Sequence, residues 1–104
     1  MRITFQSQEN IQNIMRRCGY FFTRQEQDEL AFVRPLTSAG SGYPRFHAYV
    51  KVDEVSRETQ INLHLDQKKP IYNGTTAHSG EYEGELVVNE IERLKKILGP
   101  MVQW

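Results

Sequence analysis

The sequence predicts an α+β fold in which two helices pack on one face of a three- to four-stranded antiparallel sheet, in the order α-β-β-β-β-α. Two observations predict it. Two stretches carry apolar residues at helical spacing, near residues 8–18 and 85–98, and two others, 45–52 and 59–66, alternate apolar and polar residues as half-buried strands do. Helices laid over the apolar face of such a sheet satisfy the rule that a domain is built of packed layers.

The first helix rests on Ile11, Ile14, Met15 and Cys18, which form one stripe, with Ser7 as its N-cap and Gly19 just past its end. Tyr20 to Arg24 and Leu30 to Arg34 are short β-prone runs around the polar stretch Gln25 to Glu29, a first hairpin. Thr37 to Pro44 has the small residues and proline of a surface loop.

The clearest pattern comes next. Phe46, Ala48, Val50 and Val52 alternate with polar neighbours, and so do Ile61, Leu63 and Leu65. A turn over Asp53 to Glu58 sets Val50 opposite Ile61, His47 opposite His64 and Arg45 opposite Asp66. A slip by two residues keeps the apolar face and sets His47 against Asp66 or Asn62 instead. Val87, Ile91, Leu94, Ile97 and Leu98 make the second helical stripe, ended by Gly99 and Pro100, with acidic residues towards its start and basic ones towards its end.

A chain of 104 residues suits one domain spanning 1–104, and no apolar run is long enough for a membrane span. MRITFQSQEN lacks the apolar segment and cleavage site of a signal peptide, and the single cysteine rules out an internal disulfide and a paired-cysteine metal site. Both point to the cytoplasm. Thirteen basic and thirteen acidic side chains cancel, which argues against unspecific electrostatic binding of nucleic acid while leaving room for local basic patches.

With helices on the apolar face, the other face presents Arg45, His47, Tyr49, Lys51, Asn62, His64 and Asp66. The plain reading is that an open antiparallel sheet has one wet face and that face is polar. The functional reading is a binding surface. Gln67 to Gly84, about eighteen residues without clear periodicity, is long for a loop inside a domain. Folded back over the sheet, it would bring His78, Glu81 and Tyr82 near His64 and Asp66. His47, His64 and His78 are then the candidate metal or acid-base groups, although no zinc motif such as HExxH occurs. No cofactor is expected. Cys18, on the apolar stripe, is expected in the core.

Ile11 to Pro35 carries a helix, the step Cys18-Gly19-Tyr20-Phe21, then Thr23-Arg24-Gln25 and a second strand. This stretch resembles the opening of the HicA-type mRNA interferases. The resemblance implies their double-stranded-RNA-binding-like fold, a helix, a three-stranded antiparallel sheet and a second helix, and an RNA- or toxin-antitoxin-related role. In that family a Gly-Ser-His step opens the second strand and its histidine cleaves RNA. Gln27-Asp28-Glu29-Leu30 stands there in this chain, so no catalytic residue is carried over. The balanced charge also departs from the usually basic toxins.

The leading expectation is a binding or interaction module, not an enzyme, that uses the open sheet face and the 67–84 loop for a protein or nucleic-acid partner. The alternative is a small metal-assisted or histidine-dependent hydrolase or nuclease.

Overall fold

The computed structural model describes residues 1–37, 42–67 and 76–99, with 76–83 described by their backbone alone. Five strands and two helices follow in the order β1 (Arg2–Gln6), α1 (Ile11–Arg17), β2 (Phe21–Glu26), β3 (Glu29–Pro35), β4 (Arg45–Val52), β5 (Glu58–Asp66) and α2 (Thr76–Leu98). The strands form one antiparallel sheet in the spatial order β1-β5-β4-β3-β2. The α+β class is as expected, with one strand more and the order β-α-β-β-β-β-α.

The added strand is β1. Its Ile3 and Phe5 sit opposite Ile61 and Thr59 and are fully buried, while Arg2, Thr4 and Gln6 point to the other face. A five-residue strand with two apolar positions gives a faint period-2 signal, and it is the partner β5 that makes it a strand.

Helix α1 starts later than Ser7 would place it. Asn10 is the N-cap, its side chain accepting hydrogen bonds from the backbone N–H of Gln12 and Asn13, while the Ser7 hydroxyl accepts from Glu9 N–H in a local turn. Both residue types cap well, and Asn10 stands directly before the first buried stripe. Gly19 follows with φ 91°, a left-handed conformation that turns the chain into β2.

The β2–β3 hairpin closes through Gln27 and Asp28, tighter than the expected five-residue loop. Between Phe22 and Arg24 the pairing shifts by one residue, so Thr23 is a bulge, and its hydroxyl donates to the Ala31 carbonyl at 3.0 Å. The β4–β5 hairpin has the first of the two expected registers: Val50 faces Ile61, Ala48 faces Leu63, His47 faces His64 and Arg45 faces Asp66. Asp53 organises its turn by accepting from the backbone N–H of Val55 and Ser56, which lowers its carboxyl pKa.

Ile14, Met15 and Cys18 from α1 and Ile91, Leu94 and Leu98 from α2 share one core with Phe5, Phe32, Phe46, Val50, Ile61 and Leu63. Both helices therefore cover the same face of the sheet. Cys18 is buried and its thiol pKa is raised by that burial. Glu90 enters this core 4% exposed. It accepts the Tyr20 hydroxyl at 2.6 Å and two Arg93 bonds at 2.8 Å, while Arg93 also donates to the Cys18 carbonyl at 2.6 Å. The charged group is thus matched on each side, as a buried carboxylate must be.

Helix α2 begins at Thr76 rather than near Glu85. The expected loop over 67–84 is therefore corrected: its second half is helical. Gly80 and Gly84 suggest turns, yet each costs only about 1 kcal/mol in a helix, and the Glu-rich stretch between and after them favours helix. Residues 68–75 lie outside the described residues, as do 38–41 of the Thr37–Pro44 loop and the terminal 100–104. Among the described residues no helix is long and apolar enough to cross a membrane.

Candidate functional site

The face of the sheet away from the helices is built by the strand alternation. Strand β4 contributes Arg45, His47, Tyr49 and Lys51, and β5 contributes Gln60, Asn62, His64 and Asp66 in the positions opposite. Strand β3 adds Ala31, Val33 and Pro35 beside Tyr49, His47 and Arg45. The side chains on this face are therefore neighbours by register before any of them touches another.

They do touch. His47 Nδ1 lies 3.0 Å from Asp66 Oδ2, reached diagonally because Asp66 stands opposite Arg45. Arg45 Nε is 3.7 Å from the same oxygen, and the Arg45 guanidinium lies 4.4 Å above the Tyr43 ring. Tyr49 stacks on His47 with ring centroids 4.3 Å apart and meets the edge of the exposed His64 at 5.7 Å. A run of aromatic and cationic groups, Tyr43, Arg45, His47, Tyr49 and His64, thus crosses two strands.

Its centre is dry. His47 is 7% exposed, although it lies on the face that a plain wet-sheet reading would leave in water. Among the described residues, the buried side-chain polar atoms without a hydrogen-bond partner are Arg45 Nε and His47 Nε2, both in this patch. Towards the other end of β4 the surface is ordinary: Lys51 pairs with Asp28 at 3.7 Å with both side chains exposed, and Asn62 accepts from Arg2 Nε at 3.2 Å.

Of the expected site residues, Arg45, His47, Tyr49, His64 and Asp66 come together, while Lys51 and Asn62 share the face at its margin. Tyr43 belongs with them and escaped the sequence reading, because it precedes β4 and falls outside the alternation. His78, Glu81 and Tyr82 have a helical backbone in α2, and the expected packing of these side chains against His64 and Asp66 lies outside the described residues. Among the described residues no group of three His, Cys, Asp or Glu side chains could hold a metal ion.

What this arrangement can do follows from its parts: rings to stack on, a guanidinium, and an imidazole oriented by a carboxylate. No family model, no curated protein and no solved structure matches this chain.

Proposed function

We propose that this chain is a binding module that docks a single strand of nucleic acid across the open face of its sheet. The observation that carries the reading is the exposed His64 ring set against Tyr49 at 5.7 Å, with Tyr49 braced from behind by the buried His47 at 4.3 Å and Arg45 held beside them. Unpaired bases stack on such rings, each worth about 1–3 kcal/mol. With thirteen charges of each sign, stacking and not bulk attraction must supply most of the affinity. A gentle salt dependence follows. The RNA- or toxin-antitoxin-related role implied by the HicA-type resemblance belongs with this reading, as does a cytoplasmic setting.

The test is fluorescence anisotropy of the purified chain with labelled single-stranded oligonucleotides. His64→Ala, at an exposed position, should leave the fold intact and weaken binding about tenfold. Unchanged binding in that variant, or none in the parent, overturns the proposal.

The histidine-dependent nuclease remains as a second reading because Asp66 orients His47 as a carboxylate orients a general base. Cleavage of labelled RNA or DNA by the parent that vanishes in His47→Ala, with or without divalent metal, would replace the binding-only reading by this one.

A further inference from the structure

Among the described residues the sheet ends on two outer strands, and they differ. Strand β2 is interrupted by the Thr23 bulge, whereas β1 pairs evenly with β5 from Arg2 to Gln6 and carries no bulge, proline or lysine, the devices that usually guard an edge.

The ladder decides which backbone groups line the outer side of β1. Leu63 N–H donates to the Met1 carbonyl at 2.7 Å and Ser7 N–H donates to the Arg57 carbonyl at 3.4 Å, so the odd-numbered residues turn their backbone groups to β5. Arg2, Thr4 and Gln6 therefore turn theirs outward. The two long side chains among them are drawn back over the chain's own sheet, Arg2 Nε donating to Asn62 at 3.2 Å and Gln6 Nε2 to the Ser56 carbonyl at 3.0 Å. The row of outward N–H and C=O groups is left open to another strand.

We infer that β1 pairs antiparallel with β1 of a second copy about a two-fold axis at Thr4, joining two five-stranded sheets into one. With the axis there, Thr4 faces the partner's Thr4 and Arg2 faces the partner's Gln6, so every outward residue exchanges both its bonds; an axis at Ile3 or Phe5 leaves one of them unmatched. Arg2 is the only charged residue of the strand and meets an amide, so no like charges oppose each other. The helices of both copies lie on one side of the joined sheet. They fit there because α2 packs chiefly over β5, and the two β5 strands stand three strand spacings apart, about 14 Å, where packed helices need about 8–10 Å. Val88, exposed on the flank of α2 away from Glu90 and Arg93, and the exposed Met1 at the end of the strand both border this seam.

Sedimentation equilibrium of the purified chain, up to about 1 mM, should give an average mass that rises from one chain and levels off at two. In the same protein the amide protons of Arg2, Thr4 and Gln6 should exchange with solvent more slowly in a concentrated sample than in a dilute one, those of Ile3 and Phe5 being slow in both. Thr4 lies on the open face beside Gln60, so Thr4→Lys sends its charge into solvent in a single chain and sets two like charges together at the axis. That variant should associate at least about tenfold more weakly, and so should Thr4→Glu alone, while an equimolar mixture of the two should recover association, which misfolded variants would not do. A chain that stays single at every concentration, a mass that climbs past two chains, association that survives both substitutions, or a mixture as weak as its parts overturns the pairing.

Discussion

Gln27 and Arg57 hold φ of 54° and 64°, values at which a side chain crowds the backbone. Each sits in a hairpin turn where glycine is the natural choice. Gln27→Gly, at an exposed position, should therefore stabilise the fold by about 0.5–1 kcal/mol, read as a higher urea midpoint with an unchanged slope. Gly19→Ala should do the reverse by about 1 kcal/mol or more, because its φ of 91° suits glycine alone even though an added Cβ would meet only the Arg34 side chain at 3.5 Å. Tyr20 carries a pH signature. Burial first, and its bond to Glu90 next, raise its pKa well above the ordinary 10.0. Above about pH 10 the unfolded chain releases this proton while the folded chain keeps it, so the folded form binds more protons and stability falls as pH rises, by up to about 1.4 kcal/mol per pH unit. Cys18 is shifted in the same direction by burial, so the assignment needs a variant. Tyr20→Phe should show a shallower alkaline decline in chemical denaturation; an identical slope would refute the role given to the Tyr20 proton.

Elements were legible where burial imposes a long period. The alternation of β4 and β5 was readable because one face of each strand packs under two helices, and it also set the His47–His64 register, since a slip by one would expose Val50 and Ile61. Leu63→Ala and Ile91→Ala should each cost about 2–4 kcal/mol by urea denaturation, both side chains lying in the shared core. What escaped had weak local signals and strong tertiary ones. Strand β1 depends on β5 for its pairing, and the first turns of α2 were hidden behind two glycines that the helix absorbs. The candidate site was legible as a list of residues on one face, because alternation assigns faces. The burial of His47 was not, nor was its diagonal reach to Asp66, since both arise from how neighbouring strands bring rings together.

Across the whole molecule the helix-covered face and the face that carries His47, Tyr49 and His64 are held apart by the sheet, so the two can be perturbed separately. Glu90 joins α2 to Tyr20 and Arg34, and Arg93 ties the same helix to the end of α1 through the Cys18 carbonyl. Glu90→Gln should therefore cost about 2–3 kcal/mol of global stability while leaving oligonucleotide affinity within about twofold at a temperature where the variant is folded. A parallel loss of affinity would show that the two faces are coupled. Among the described residues β1 and β2 are the outer strands of the sheet, and β2 is exposed along its full length with Phe21 and Phe22 uncovered at 64% and 45%. An exposed edge strand with regular pairing is a template on which further copies can add. The Thr23 bulge interrupts it, and the hydroxyl that donates to Ala31 fastens the interruption in place. Protection of this edge against strand pairing thus rests on one supernumerary residue. Deleting Thr23 would restore an even ladder and should make the sedimentation profile grow more steeply with protein concentration than that of the parent, measured side by side.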